Sequence, residues 1–597
     1  MQVMNRGPRH NLHQEKAQLS NWPQTARRVL SYVGFARGKL AIVFGLTVFT
    51  TAATIVGNRI NGIVVDQFLK ASKLPLLELI CLVLGGMYLL AAVFTYFQNS
   101  VTVKVAQQAA ADIRRDIFAN LQQLPMRYFD THDNGDIMSR LTNDVDNINT
   151  AMMQTFVQLF TGIIAVIGMG AAMLVLSPLL TLIALAASGL TYLFTRAAAK
   201  VTQKAFVTQQ EALGALNTQI EESVSGKQVV QLFDHEAETM ATFDETNARY
   251  THAAFIAQSV SSFIGPVNNG TNNLAYLAIT AAGAVSILSG SQTITVGIIF
   301  TFLIYLRNFT GPINNVLDLI NTLQLSLASA ERVFEVVDEV PEKDLPNAKH
   351  VTTTTGRVEF DHVDFAYDPG RPILHDVSLV AAPGQMIALV GATGAGKTTI
   401  MNLLTNLYPL ESGHVLLDGR DVTTLRRADL RHLITVVQQE PFMFQLSIKE
   451  NIRLGRADAS DEAVVLAAKQ AHADGFIRQL KDGYDTVLAE NAQNISQGQR
   501  QLLSIARAFI AAAPVLVLDE ATASIDSNTE ADVQRAMVGL MKGKTSFVIA
   551  HRLSTIRHAD EILVIDGGRV VERGSHEALL KRGGAYAALY NSQFDQA

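Results

Sequence analysis

One cysteine, Cys81, among 597 residues leaves no material for an intrachain disulfide or a cysteine-based zinc site. Charge is also scarce. Asp, Glu, Lys and Arg make up 17% of the chain, against about 25% in an average soluble domain. The 48 basic and 54 acidic residues leave a net charge of −6, which argues against a nucleic-acid protein built on a basic surface. Hydrophobic residues reach 48%, and the mean hydropathy is +0.20. The length is three to four times a domain of about 150 residues, so several domains are expected. These figures together point to a membrane portion.

The gaps between charges set the architecture. Residues 40–58, 79–103, 147–195 and 250–306 are uncharged runs of 19, 25, 49 and 57 positions. A bilayer span needs about 20 apolar residues, so the first two runs fit one span each. The third divides at Ser177-Pro178, because proline cannot continue a helix interior. The fourth divides at the turn-forming cluster Ser289-Gly290-Ser291-Gln292-Thr293. Six spans result, and an even number puts both termini on one side. Basic residues such as Lys104, Arg114, Arg140, Arg196, Lys200, Lys204 and Arg249 gather in segments 104–146 and 196–249. The two joints carry no charge, and Arg59, Lys70 and Lys73 in the first outer loop are a mild exception. Basic loops stay on the cytoplasmic side, so both termini and both long loops are read as cytoplasmic in a multi-pass plasma-membrane protein.

Residues 1–20 are polar, with no apolar h-region of a signal peptide. In segment 1–38, residues 21–38 read as an amphipathic helix at the inner interface or as a solvated lead-in helix. The membrane domain spans 39–338. Gln107–Leu124 and Val201–Glu222 continue the spans into the cytoplasm, and they break at Asp130–Asp136 and Ser223–Lys227. A linker at 339–355 precedes a domain at 356–597. There, short β-branched runs (Met386–Val390, Leu433–Val437, Val515–Leu518, Thr545–Ile549, Glu561–Ile565) alternate with helical patterns, an α/β domain with a largely parallel sheet.

Gly391-Ala392-Thr393-Gly394-Ala395-Gly396-Lys397-Thr398-Thr399 follows one of these strands and opens a helical run. That is the context of a phosphate-binding P-loop. Its glycines let backbone N–H groups converge on phosphate oxygens. Lys397 would bridge the β- and γ-phosphates, and Thr398 would coordinate Mg²⁺. Val515–Leu518 ends in Asp519-Glu520, which places Asp519 at the Mg²⁺ shell and Glu520 at the attacking water. His551, after Thr545–Ile549, could contact the γ-phosphate. Gln439 could reach the metal or the water, with the adjacent Gln438 as a competing choice. Tyr367 could stack on adenine or be a plain exposed aromatic.

Asn494-Ile495-Ser496-Gln497-Gly498-Gln499-Arg500-Gln501 resembles the signature motif, usually Leu-Ser-Gly-Gly-Gln, of ATP-binding cassette (ABC) proteins. The order P-loop, Gln439, signature, Asp519-Glu520, Ala523-Ser524-Ile525-Asp526 and His551 is that of the superfamily's ATPase domain. Six spans ahead of it make the whole chain similar to an ABC exporter half-transporter. The fold implied is an all-α six-helix transmembrane domain followed by an α/β P-loop ATPase. The resemblance implies ATP and Mg²⁺ as cofactors. It also implies a second half-transporter as partner, with Ser496, Gln497, Gly498 and Gln499 facing ATP held by that partner. Asp136, Gly226, Glu490 and Asp526 fall where such exporters couple their domains. Gln497 replaces the first signature glycine, as in the subunit of heterodimeric bacterial multidrug exporters that retains the catalytic Glu and His. A heterodimer is therefore favoured over a homodimer.

The cargo implied is amphipathic, of drug or lipid type. Alternatives are a peptide exporter and an ATP-gated channel or regulatory subunit. The intact Glu520 argues against a channel, and a cysteine-free N-terminal region disfavours processing-linked peptide export. Met152, Met153, Phe156, Phe160, Phe263, Phe302 and Tyr305 could line a cavity or pack helices. Asn268, Asn269, Asn272 and Asn273, amides within a span, should face the bundle interior.

Overall fold

The uncharged runs become long helices. The computed structural model describes residues 22–70, 74–290, 294–368, 370–519, 527–549 and 556–594. Helix α1 (Trp22–Ser31) leads into α2 (Arg37–Lys70) and α3 (Leu74–Leu121). Then come α4 (Met126–Thr131), α5 (Asn134–Ser139), α6 (Val145–Gln154), α7 (Phe160–Leu176), α8 (Pro178–Ser225), α9 (Lys227–Leu232), α10 (Glu236–Leu288) and α11 (Val296–Asp338). Each of α3 and α8 has 48 residues. At about 1.5 Å per residue they measure roughly 72 Å, over twice the hydrocarbon thickness. By length and composition, three helices among the described residues can cross a membrane: Gly34–Gln67, Leu77–Leu121 and Glu236–Leu288. Shorter apolar stretches lie at Phe160–Leu176, Pro178–Leu190 and Val296–Pro312.

The joint expected at Ser177-Pro178 is present. Ser177 caps α8 by accepting from the Leu180 N–H at 3.3 Å, and Pro178 takes the first turn, where its missing N–H costs nothing. At the other joint α10 ends at Leu288, and the Thr295 hydroxyl caps α11 through the Ile298 N–H. Residues 291–293 lie outside the described residues. Arg59 corrects the sequence reading. It belongs to α2 and not to an outer loop, because no proline interrupts the helix before Lys70.

Two seams fix α11 to its neighbours. Near its start, a Cβ on Gly297 would stand 1.9 Å from the Gly62 carbonyl oxygen, so the α2 and α11 backbones touch, as small residues permit in membranes. Asp66 completes this seam by accepting from the Thr295 hydroxyl at 2.5 Å and the Gly297 N–H at 2.8 Å. Its carboxylate sits at the positive end of α11. Further along, Asp144 lies in a π-helical turn, Arg140–Asp144, between α5 and α6. Asp144 is buried and takes both prongs of the Arg332 guanidinium. A second π-turn, Thr155–Leu159, separates α6 from α7.

The chain divides into two compact units, Met1–Gln122 with Asn134–Glu339 and Gln123–Asp133 with Val340–Ala597. The second holds β1 (Val358–Ala366), β2 (Pro372–Ala381), β3 (Met386–Val390), β4 (Ser412–Leu417), β5 (Arg420–Asp421), β6 (Ile434–Val437), β7 (Val515–Asp519), β8 (Thr545–Ile549), β9 (Glu561–Asp566) and β10 (Arg569–Gly574). An antiparallel sheet runs β2-β1-β4-β5, and a second sheet runs β10-β9-β3-β8-β7-β6. All pairs in the second sheet are parallel except β10 with β9. Its central strands are covered on both faces, which is why β3, β7 and β8 read as unbroken apolar runs.

Replacing Gly297 by Ala drives a methyl group into the Gly62 backbone. The expected cost is about 1–3 kcal/mol, read as a lower midpoint of thermal unfolding of the detergent-solubilised chain. Gly85→Ala, where an added Cβ meets nothing within 4 Å, leaves the midpoint unchanged or raises it.

Candidate nucleotide site

Strand β3 delivers the chain into Gly391–Gly396, and α12 (Lys397–Leu404) begins at once. Gly396 sits at φ +105°, and a Cβ there would press on Leu374 at 2.6 Å. Only glycine turns the backbone here so that the first N–H groups of α12 point out of the loop. Thr393, Gly394 and Thr398 are exposed at this rim, and Ala395 is buried. Lys397 is 7% exposed, and its Nζ donates to the Gly391 and Ala392 carbonyls at 2.8 and 2.7 Å. Burial holds its pKa below the ordinary lysine value, and the carboxylate of Asp519 pulls in the other direction. A desolvated ammonium held only by neutral carbonyls is primed for an anion.

Strands β3, β8, β7 and β6 lie side by side and parallel, so their carboxyl ends share one edge. That edge carries the P-loop after β3, Asp519 at the end of β7, and exposed Gln439 two residues beyond β6. Glu520, Asp526 and His551 lie outside the described residues. The donor set of Thr398 hydroxyl, Asp519 carboxylate and Gln439 amide oxygen suits a hard divalent cation. No group of three His, Cys, Asp or Glu forms a metal cage among the described residues. Phosphate oxygens would have to complete the shell, as for Mg²⁺ in nucleotide sites.

Tyr367 is half-buried and tied to the P-loop helix. Its hydroxyl accepts from Asn402 at 3.1 Å and donates to Thr399 at 3.4 Å. Sequence reasoning missed what lies behind it. Tyr408 packs edge-on against Tyr367, ring centroids 4.9 Å apart, and donates its hydroxyl to Asp130 at 2.6 Å. Burial first, and then this bond, push the Tyr408 pKa well up. Asp130 belongs to α4, which the fold assigns to this unit although it interrupts the membrane helices in sequence. An aromatic beside Pro409 carries no motif signal, so only the three-dimensional pairing exposes it.

The signature segment forms a capping box at the start of α13 (Gln497–Ala511). The Ser496 hydroxyl accepts from the Gln499 N–H at 3.2 Å, and the Gln499 side chain accepts from the Ser496 N–H at 2.9 Å. Gly498 is buried and Gln497 half-buried in this first turn. Arg507, also missed, braces α13 against the segment after Gln439. It donates to the carbonyls of Asn451 and Phe442 at 2.6 and 2.7 Å and to the Asn451 side chain at 2.7 Å. With neutral acceptors alone, burial pulls its pKa down to about 10.

The coupling candidates are dispersed. Asp136 pairs with Arg140 at 3.0 Å, one turn away in the first unit. Gly226 joins α8 to α9, with its N–H donating to the Glu222 carbonyl at 2.8 Å. Glu490 is exposed in a 3₁₀ turn ahead of α13. Among the cavity candidates, Met152, Phe302 and Tyr305 are buried in helix packing, and Phe263 is 72% exposed.

Residues 40–313 match the family described as ABC transporter transmembrane region, and residues 374–523 match the one described as ABC transporter. The chain is 41% identical over 588 residues to an uncharacterized ABC transporter ATP-binding protein of Bacillus subtilis, covering 98% of this chain and 96% of the relative. It is 43% identical over 506 residues to the fatty acid ABC transporter ATP-binding/permease protein of Mycobacterium bovis, covering 84% and 79%. Among solved structures it is similar to a bacterial Atm1-family ABC exporter with ATP bound, at a TM-score of 0.73 and 28% identity, covering 96% of this chain and 98% of the other. A helical membrane unit and a P-loop ATPase unit, fused and matched along nearly their full length, make this chain a member of the ABC transporter family, an exporter-type half-transporter that couples ATP hydrolysis to transport.

Proposed function

We infer that the chain works in a bacterial plasma membrane as one half of a dimeric exporter of amphipathic, lipid-like molecules. Its termini and ATPase domain face the cytoplasm, and the domain limits are 1–38, 39–338, 339–355 and 356–597. The observation that carries this reading is the state of the second loop. Val224, Val229, Leu232 and Phe233, around α9, are 60–73% exposed, an apolar tip at the end of two very long helices that water does not favour. Asn269 and Asn273 are also exposed, within the span of α10. Amides facing hydrocarbon are costly, so this side of α10 suits a partner or a shared polar cavity. The named fatty acid relative supports a lipid-type cargo.

The chemistry follows from the site. Lys397 leaves its carbonyl partners to hold the β- and γ-phosphates, while the N–H groups after Gly394 and Gly396 cradle them. Asp519, Thr398 and Gln439 hold Mg²⁺, which when bound neutralises phosphate charge. Glu520 accepts a proton from the attacking water, and His551 supports the γ-phosphate. The partner's signature segment would close the site, and Ser496 and Gly498 would close the partner's. Gln497 sets an amide where a glycine would leave room for phosphate, which supports pairing with a different half-transporter. ATP then favours the closed pair by differential affinity, and hydrolysis reverses it. Tyr408 links the adenine side of the site, through Tyr367, to Asp130 on α4, so nucleotide occupancy is felt at the first cytoplasmic loop.

Three outcomes are expected. Glu520→Gln lowers steady-state ATPase by about 10²-fold or more while ATP binding persists; an unchanged rate in reconstituted dimers sinks the mechanism. Tyr408→Phe keeps the ring and removes a bond worth about 1–2 kcal/mol. Transport per ATP should fall while the KM for ATP holds, and combining it with Asp130→Ala should add little further loss. Phosphate binding raises the depressed pKa of Lys397. ATP affinity should therefore weaken as pH rises from neutrality toward the ordinary lysine range near ~10.4, and Lys397→Arg, which stays charged, should flatten that decline.

A further inference from the structure

Helices α8 and α10 enclose an apolar groove of about 510 Å³, walled by Phe194 and Val201 on α8 and by Val260, Phe263 and Val267 on α10. The volume is in the range of small-molecule clefts, about 300–1,000 Å³. Three basic residues, Arg196, Lys200 and Lys204, follow at four-residue spacing on α8 and share one face. All three are exposed. Lys204 comes three residues after Val201, the last α8 wall residue, so the stripe borders the mouth of the groove. Long basic side chains can lay their stems along such a wall and keep their heads free.

The stripe is uncompensated. No Asp or Glu occurs between Asp146 and Glu211, or between Glu245 and Asp318. Basic residues of the first cytoplasmic segment are paired instead: Arg114 with Asp146 at 2.6 Å and Arg140 with Asp136 at 3.0 Å. A merely topological role for positive charge would not explain that contrast. The groove also lies away from the polar side of α10. At about 100° per residue, Asn269 and Asn273 fall roughly 130° around the helix from the centre of Val260, Phe263 and Val267. If the amide side meets the partner or the cavity, the groove side meets lipid.

The geometry points to a binding site for a phosphate-headed acyl lipid of the inner leaflet, and hence to that class as cargo. One acyl chain lies in the groove, and the phosphate is held by the stripe. Three unpaired cations on one face exceed what a single carboxylate neutralises, and Lys and Arg are natural phosphate ligands. This assignment rests on the exporter reading and on the cytoplasmic placement of segment 196–249.

The test uses the full-length chain, paired as it exists, in vesicles containing phosphatidylglycerol with a photoreactive acyl chain. Adducts are expected on peptides carrying 194–201 and 259–267. Combining Arg196→Gln, Lys200→Gln and Lys204→Gln should cut their yield about tenfold, while Lys200→Arg with Lys204→Arg preserves it. Phosphatidylcholine with the same chain should label weakly and indifferently to these changes. Equal labelling by the two lipids, labelling unaffected by the glutamines, preferential labelling by photoreactive palmitate, or a groove without adducts overturns the assignment. ATP-driven movement of a neutral fluorescent amphiphile is followed in the same vesicles. Movement with charge-blind labelling defeats this site alone; no movement of any amphiphile defeats the exporter reading, while the labelling still decides the site.

Discussion

Hydrocarbon offers no partner to a backbone N–H or C=O, so every peptide group in the bilayer must bond within its own helix. That constraint governs the rest of this molecule. It rules out a loop inside the membrane and makes each crossing a rod. Once a rod exists, extending it past the membrane is cheap, because each added residue forms one more helical bond. Helices α3, α8, α10 and α11 use this freedom, with 43 to 53 residues each. Their cytoplasmic ends carry the short helices α4 and α9, which are too short to stand without packing.

Packing decides what those short helices do. The chain leaves α3 at Leu121, runs through α4, and re-enters the membrane unit at Asn134, yet Gln123–Asp133 packs as part of the ATPase unit. Asp130 holds Tyr408, Tyr408 holds Tyr367, and Tyr367 is anchored on Asn402 of the P-loop helix. Helix α9 has no such anchorage on its apolar tip. One loop of the chain is satisfied at home and the other is left exposed, an asymmetry that suits a protein completed by a second half.

The sequence was legible where a physical rule acts locally. Uncharged runs marked the membrane helices, Ser177-Pro178 marked their joint, and continuous apolar runs marked the buried parallel strands within a residue or two of their observed ends. The P-loop could be read because phosphate binding demands glycine at positions such as Gly396. Reading failed where a residue's meaning depends on a distant partner. Arg59 was misplaced because charge alone was taken to end a span, whereas helix continuity to Lys70 overrode it. The antiparallel sheet β2-β1-β4-β5 went unread because its pairing is non-local. Tyr408, Asn402 and Arg507 belong to no spaced motif, and their roles exist only once strands and helices have met.

Arg507 shows how the two kinds of information combine. An arginine in an amphipathic helix ordinarily reads as a solvated charge, but here its guanidinium is turned inward to three neutral acceptors on Asn451 and Phe442. Burial without a carboxylate is costly, and the depressed pKa records that cost. The return is rigidity between α13, which begins with the signature, and the segment that follows Gln439. A nucleotide gripped through Gln439 on one side and a signature helix offered to a partner on the other must move as one body if closing the dimer is to be felt at the phosphates. A neutral substitute of equal volume could pack there, but it could not bond all three acceptors at once. The buried charge is thus best understood as a strut between the two halves of the catalytic machinery.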